Sequence, residues 1–204
     1  MSPPPFFLLH EAHMAGVIDT ADFKKGLKIE MDGEPFEIVE FQHVKPGKGS
    51  AFCRTIYRSL ISGRQLEKNF KSGDKVGRPD IEEKDMQYLY KQGDEYHFME
   101  NKTFEQTFVL EKVVAEGKNF LKENLPTQVL FFNGKAIGVS LPNSVELKVV
   151  KCDPGVRGDT VSGAMKPATL ESGYEVNVPL FINEGDVLKI DTRDGKYLTR
   201  TQTA

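Results

Sequence analysis

The chain has 204 residues, of which 39% are hydrophobic and 28% charged, and its formal net charge at pH 7 is −3. This composition is ordinary for a globular chain and excludes a fibrous or low-complexity protein. No run approaches the about 20 consecutive apolar residues that a membrane-spanning helix requires, so no membrane partner is expected. A mildly acidic total also argues against a protein that coats nucleic acid along its whole length.

The first thirteen residues, 1–13, combine three consecutive prolines with the apolar run from Phe6 to Leu9. They lack a basic start and a small-residue cleavage site, which disfavours a signal peptide. Residues 1–13 are therefore predicted to be a disordered extension or a mis-assigned start. A cytoplasmic location is expected, with the two cysteines, Cys53 and Cys152, in the reduced state.

Two proline-containing breaks, at residues 77–80 and 141–144, divide the remaining chain into three blocks. Breaks of this kind between alternating apolar and polar segments mark domain boundaries. They predict domains at 14–78, 79–142 and 143–204. Blocks of about sixty residues hold four to six short strands and little else, so three small β-barrels in series are expected, with five-stranded OB barrels suiting the second and third blocks. The predicted fold class is all-β.

In the first block, the pattern predicts strands over 27–31, 36–44 and 51–61. Between the last two lies Lys45-Pro46-Gly47-Lys48-Gly49-Ser50. Proline and glycine favour a turn here, so Lys48 is predicted to project from a hairpin tip.

In the last of these strands, the sequence does not decide which set of alternate side chains faces the core. Phe52 and Ile56 share a face with Arg54 and Arg58 in a period-two pattern, so the basic side chains are expected near a rim.

The second and third blocks also alternate as strands do. The predicted strands are 86–91, 95–100, 129–132 and 136–139 in the second block, and 145–151, 174–181, 186–191 and 196–200 in the third. A stretch at 112–123 is compatible with a helix. Asn133-Gly134 is a strong hairpin signal between two of the strands.

Basic residues concentrate in one segment. Residues 45–78 contain nine lysines and arginines and two acidic residues, whereas 79–142 has a net charge of −4. This excess is typical of a phosphate-contacting surface, and Arg54, Arg58 and Arg64 are the predicted contacts. The alternative is that exposed strands carry Lys and Arg to block edge pairing.

No catalytic or metal-binding constellation is apparent, so neither an enzyme activity nor a metal or cofactor is expected. Gly47-Lys48 lacks the glycine and the Ser or Thr of a phosphate loop, because those places hold Gln42 and Gly49. The internal histidines, His43 and His97, have no partners at metal-ligand spacing.

Four aromatic residues of the second block, Tyr88, Tyr90, Tyr96 and Phe98, alternate as RNA-stacking residues would. Acidic residues surround them, so they are predicted to form barrel core instead.

Several segments of the chain, in order and at compatible spacing, resemble the bacterial elongation factor P family. They are Phe23-x-x-Gly26-Leu27-x-Ile29, Asp32-Gly33-Glu34-Pro35-Phe36, Val44-Lys45-Pro46-Gly47-Lys48-Gly49, Phe70-Lys71-Ser72, Tyr88-Leu89-Tyr90, His97-Phe98-Met99, Thr103-Phe104-Glu105-Gln106, Asp153-Pro154-Gly155-x-x-Gly158-Asp159-Thr160, Lys166-Pro167-Ala168-Thr169-Leu170-x-x-Gly173 and Val178-Pro179-Leu180-Phe181. The resemblance runs from about residue 14 to the carboxyl end.

The resemblance implies an SH3-like barrel followed by two OB barrels, in an L-shaped outline similar to a tRNA. It implies a monomeric translation factor that binds the 70S ribosome between the peptidyl and exit sites, with ribosomal RNA and peptidyl (prolyl) tRNA as partners. The implied function is to stimulate peptide-bond formation and to relieve stalling at consecutive prolines.

In that family the loop around Lys48 reaches the CCA end of the peptidyl tRNA. Lys48 is the position that a lysine-modifying enzyme extends in many members, with a β-lysyl group or an aminoalcohol. Tyr197 and Arg200 match residues near the carboxyl terminus and are expected to contact RNA. A spacing of three places them on opposite faces of a regular strand unless the strand end twists or frays. The alternative for Tyr197 is a core or rim aromatic with a polar tip.

Three other protein classes are alternatives. An OB-fold single-stranded RNA-binding or chaperone protein would also carry basic and aromatic strands. A paralogous elongation factor P-like protein is a lesser rival, against which the loop from Lys45 to Gly49 argues. The two-domain eukaryotic and archaeal relatives are disfavoured by the third block.

Overall fold

The computed structural model of the chain describes residues 16–47, 49–154 and 164–203. The predicted extension 1–13, Lys48 and the segment Gly155-x-x-Gly158-Asp159-Thr160 lie outside these residues. The chain separates into two compact units, with the boundary between Asp80 and Ile81. Among the described residues, no helix is long and apolar enough to cross a membrane.

The first unit is a six-stranded antiparallel sheet. Its strands are β1 (Val17–Asp19), β2 (Lys28–Met31), β3 (Glu34–Val44), β4 (Phe52–Ser59), β5 (Gln65–Lys71) and β6 (Lys75–Gly77), in the spatial order β1-β6-β2-β3-β4-β5. Asp32 and Gly33 both have positive φ, 52° and 77°, so they form the two-residue turn that joins β2 to β3. The sheet curls around a core that includes Ile29, Ile38 and Phe70.

The second unit contains two five-stranded antiparallel sheets. The first has β7 (Ile81–Gln92), β8 (Glu95–Glu100), β9 (Gln106–Leu110), β10 (Pro126–Phe132) and β11 (Lys135–Ser140), with α1 (Glu111–Val114) and a 3-10 helix (Ala115–Phe120) between β9 and β10. The second has β12 (Ser144–Cys152), β13 (Met165–Leu170), β14 (Glu175–Pro179), β15 (Val187–Asp191) and β16 (Tyr197–Gln202). Their spatial orders are β11-β10-β7-β8-β9 and β14-β13-β12-β15-β16.

The two sheets of the second unit share one hydrophobic core. The edge of the Phe120 ring meets Tyr174 with centroids 5.1 Å apart, and Lys122 donates a hydrogen bond to the backbone oxygen of Glu146 at 2.5 Å. The packing of these side chains holds the two sheets together as one body.

The all-β prediction, with three small sheet domains, is confirmed. Five strands, β1, β5, β6, β9 and β13, were not predicted. β1 and β6 have three residues each, and β5 buries Phe70 alone while its other side chains are exposed, so its apolar periodicity is weak.

The helix-compatible stretch at 112–123 is also different in the structure. The α-helix ends after four residues because Ala115 has a φ of 51°, and a 3-10 helix continues to Phe120. The helix-compatible stretch therefore holds a short α-helix and a 3-10 helix, and the helical part ends at Phe120.

The prediction that four alternating aromatics form core is right for three of them. Tyr88, Tyr96 and Phe98 are buried, whereas Tyr90 is 44% exposed. The reason is a β-bulge at Leu89: Tyr88 pairs with Phe98 and Tyr90 pairs with the next residue, His97. The extra residue turns Tyr90 to the outer face of the sheet.

Gly195→Ala is expected to destabilise the second unit by about 2 to 4 kcal/mol. Gly195, between β15 and β16, has a φ of 70°, and a Cβ there would collide with the hydroxyl of Tyr174. The loss combines backbone strain of roughly 1 kcal/mol with overpacking of about 1 to 3 kcal/mol. Urea unfolding at equilibrium measures it.

Gly173→Ala is the matched control, since Gly173 has a φ of 84° and open space where its Cβ would lie. It should lose only the strain contribution. Equal losses for the two variants would contradict the assigned role of the Tyr174 contact.

Candidate nucleic-acid interface

The hairpin of β3 and β4 carries the loop that contains Lys48. The two strands pair from Phe36 opposite Ser59 to Val44 opposite Phe52, with one β-bulge at Val39. The pairing continues to the last residue before the loop, so the strand ends hold the loop from both sides. Near the loop, Cys53 on β4 and its partner Phe70 on β5 are buried, and they anchor this end of the hairpin to the core.

The loop itself is exposed. Lys45, Pro46, Gly47, Gly49 and Ser50 are all solvent-accessible, and these are the predicted tip-loop residues that the structure describes. Gly49 has a φ of 114°, in a region that L side chains rarely adopt. The neighbours of Lys48 on both sides therefore leave the loop open to a partner, while Lys48 itself lies outside the described residues.

The register of β4 decides which of its faces carries the arginines. Cys53, Thr55 and Tyr57 are buried, so the alternate residues Arg54 and Arg58 point outward and are exposed. The sequence left open which face of β4 meets the core, and the buried row of Cys53, Thr55 and Tyr57 identifies it. The two arginines therefore lie on the same outer face of the first sheet.

Each of these arginines is paired with a carboxylate. Arg54 donates through Nε to Glu67 at 2.6 Å and through Nη2 at 3.1 Å, and Arg58 donates through Nη2 to Glu37 at 2.8 Å. The hydrogen bond from Arg54 lowers the pKa of Glu67 below its ordinary value and raises the pKa of Arg54. Exposed pairs of this type contribute little to stability because solvent screens them, so a phosphate can replace the carboxylate at little cost.

Arg64 differs from the other two. It lies in the turn between β4 and β5, is exposed, and has no ion pair with any residue that the structure describes. Its guanidinium is therefore available without displacement of a carboxylate.

Glu37 and Glu67 were not predicted as part of this face. Glu37 lies directly opposite Arg58 across the two strands, and Glu67 on β5 is close enough to bond Arg54. Cross-strand opposite charges are a usual device of antiparallel sheets. The Glu37–Arg58 pair could not be found without the register of β3 and β4. The Glu67–Arg54 pair was missed because β5 was not predicted.

Tyr197 and Arg200 lie on the same face of β16, which corrects the expectation of opposite faces. A β-bulge at Leu198 makes Tyr197 pair with Ile190 and Arg200 with Leu188, and both partners are fully buried. Directly paired residues share a face, so both side chains lean toward the core and are half-buried.

Arg200 also has a structural partner. Its Nη1 donates to Oδ2 of the buried Asp186 at 3.1 Å, and its Cζ lies 5.2 Å from the centre of the Phe181 ring. The RNA contact assigned to Arg200 stays a prediction, and its guanidinium already has Asp186 and Phe181 as partners within the fold.

No cluster of three or more His, Cys, Asp or Glu side chains able to hold a metal ion is present in the described part of the chain. Cys53 and Cys152 are both free thiols. The expectation of no metal and no cofactor stays untested by this observation.

Three family models match consecutive parts of the chain. That described as "Elongation factor P (EF-P) KOW-like domain" matches residues 19–76, "Elongation factor P (EF-P) OB domain" matches 81–139, and "Elongation factor P, C-terminal" matches 145–200. These ranges follow the three sheets in order.

Curated relatives match over nearly their whole length. Elongation factor P of Maridesulfovibrio salexigens is 55% identical over 184 residues, which is 90% of this chain and 99% of that protein. Elongation factor P of Pelotomaculum thermopropionicum is 51% identical over 184 residues, 90% of this chain and 100% of that protein.

A solved structure shares the fold over part of the chain. Eukaryotic translation initiation factor 5A from Methanococcus jannaschii superposes with a TM-score of 0.51 and 26% identity, over 61% of this chain and 93% of that one. The likeness is therefore to a shorter protein.

Arg200→Ala is expected to destabilise the second unit by about 1 to 3 kcal/mol, because it removes a charged hydrogen-bond donor from the buried Asp186. Asp186 keeps the hydrogen bond from the backbone N–H of Asn183, which limits the loss. Thermal and urea unfolding of the purified variant measure it.

Lys196→Ala is the control, since Lys196 pairs with Asp194 at side-chain exposures of 76% and 47%. Its loss should stay within about 0.5 kcal/mol. If Arg200→Ala were as mild as Lys196→Ala, the structural part given to Arg200 would be wrong.

Proposed function

Because the chain belongs to the elongation factor P family of translation elongation factors, we propose that it binds the 70S ribosome between the peptidyl and exit sites and steadies the CCA end of the peptidyl tRNA through its Lys48 loop. The observation that supports this best is that the described residues on either side of Lys48, Lys45–Gly47 and Gly49–Ser50, are exposed at the end of a hairpin whose pairing reaches Val44 and Phe52. The protein then acts in the cytoplasm as a monomer.

The residue types of the loop suit contact with RNA. A lysine side chain is a long cationic arm that can donate to phosphate and sugar oxygens without acting as an acid or a base. Gly47 and Gly49 remove side chains on either side and permit close backbone approach, and Pro46 restricts the loop before binding. A β-lysyl or aminoalcohol extension of Lys48 by a lysine-modifying enzyme would lengthen the arm and add donors.

The outer face of β4 would position the first unit on the tRNA. Arg54 and Arg58 exchange Glu67 and Glu37 for phosphates on binding, and Arg64 contributes a guanidinium that is already available. The net charge of −4 over 79–142 would keep the rest of the molecule from non-specific binding.

The mechanism proposed is positional. Proline is a slow peptide donor and acceptor, and a peptidyl tRNA with a proline run is poorly oriented for attack. A gain of about 2 to 3 kcal/mol in positioning corresponds to roughly 30- to 150-fold in rate, which is within the range that orientation supplies. Ribosomal RNA catalyses peptide-bond formation, and the proposed factor raises the rate for prolyl-tRNA.

Lys48→Ala should abolish the stimulation of peptide-bond formation at consecutive prolines, because the cationic arm is lost, while leaving the fold intact. A ribosomal synthesis assay with a three-proline template measures the rate, and unfolding should shift by less than about 0.5 kcal/mol.

Lys102→Ala is the matched control, because Lys102 is an exposed lysine in the turn between β8 and β9. It should act like the unaltered chain. Full stimulation by Lys48→Ala would refute the role assigned to the loop.

Arg54→Gln with Arg58→Gln should weaken ribosome binding and flatten its salt dependence. Each phosphate contact that is lost removes about 0.7 to 0.9 from the slope of log affinity against log salt concentration. Binding is measured at several salt concentrations with ribosomes that hold a peptidyl tRNA.

Glu37→Gln with Glu67→Gln is the companion variant, because it frees both arginines from their carboxylates. It should strengthen binding and leave the salt slope at least as steep. An unchanged slope for the arginine variant would show that these side chains do not face phosphate.

A further inference from the structure

The outer face of the second sheet carries a row of aromatic side chains across three strands. Tyr90 on β7 pairs with His97 on β8, and His97 pairs with Phe108 on β9. Glu95 and Leu110, two pairs further along and on the same face, complete what we call the aromatic face: Tyr90, Glu95, His97, Phe108 and Leu110.

The rings of the aromatic face form a row of neighbouring rings across the strands, which we call the ring platform. Tyr90 and His97 are stacked with centroids 4.6 Å apart and an interplanar angle of 16°, and Phe108 lies 6.3 Å from His97. Tyr90 is 44% exposed and Phe108 51%, while the core of this domain lies on the opposite side, under Tyr88 and Phe98. Exposed rings that the core does not need are typical of a binding surface.

The charge around this platform selects the partner. Residues 81–110 hold seven acidic and three basic side chains, and two of the lysines, Lys84 and Lys91, are engaged by Glu100 and Glu111. The aromatic face itself has no lysine or arginine, and its carboxylate, Glu95, has a side chain that is 43% exposed. Such a surface repels phosphate and attracts a cation.

An unsatisfied polar atom lies at the same place. Nε2 of His97 is buried without a hydrogen-bond partner in the described part of the chain, and Oε2 of Glu95 is 3.7 Å away. Because Nε2 of His97 is buried, the exposed carboxylate of Glu95 beside it is the acceptor that a bound donor meets.

The second unit already contains the combination of groups that such a cation would meet. The guanidinium of Arg200 lies over the ring of Phe181 and donates to Asp186. A planar guanidinium fits a ring and a carboxylate at once, which an ammonium group does less well.

We propose that the aromatic face binds an arginine-bearing segment of a protein partner, with a guanidinium stacked on the ring platform and hydrogen-bonded to Glu95. This surface lies in the second unit, apart from the Lys48 loop, and its test does not depend on ribosomes. Failure of the loop's proposed role would therefore leave this inference standing, and the reverse also holds.

The test is an NMR titration of the isotope-labelled full chain with three probes: a peptide of four Arg-Gly repeats, its Lys-Gly counterpart and an octamer of oligouridylate. The arginine peptide is expected to shift the amides of β8 and β9 and the ring of His97, and to bind at least threefold more tightly than the lysine peptide. Oligouridylate should leave these signals unmoved.

Three variants sharpen the result. Tyr90→Ala with Phe108→Ala should weaken binding of the arginine peptide at least tenfold, and Glu95→Gln should weaken it at least threefold. Val150→Ala with Leu198→Ala, which removes two apolar side chains that are 52% and 50% exposed on the third domain, should leave the affinity unchanged. Binding of oligouridylate at this face, equal binding of the two peptides, or no shift with the arginine peptide would each overturn the proposal.

Discussion

The register of antiparallel strand pairing is the constraint on which the rest of this structure depends. In a strand, neighbouring side chains alternate between faces, so one extra residue in a strand reverses the face of every residue beyond it. Three such bulges, at Val39, Leu89 and Leu198, lie in strands that carry the surfaces described above. The bulges at Leu89 and Leu198 decide whether Tyr90 and Arg200 lie on the solvent side or the core side of their sheets.

The consequences differ between the two units. In the first, the inward row of Cys53, Thr55 and Tyr57 leaves Arg54 and Arg58 on the outside, near carboxylates that hold them without burying them. In the second, the bulge at Leu198 brings Arg200 against a buried carboxylate. An exposed pair can be exchanged for phosphate at small cost, whereas a pair with a buried member cannot. The first unit is therefore better suited to electrostatic contact with RNA.

The loop around Lys48 and the aromatic face belong to different units of the chain. The sequence from Lys45 to Ser50 is basic and belongs to the first unit, while the aromatic face carries rings and a carboxylate and belongs to the second. The two surfaces differ in charge and in side-chain type, so they suit partners of different chemistry.

The amino-acid sequence by itself determined the all-β class, the strands on both sides of the Lys48 loop and the exposed glycines of that loop, because these follow from local alternation and turn chemistry. Only the tertiary structure decided the faces of Arg54, Tyr90 and Arg200 and their partners Glu67, His97 and Asp186. The physical reason is that the register of a strand, and any bulge in it, depends on which strands pair. Strands as polar as β5 give no apolar period from which that register could be read.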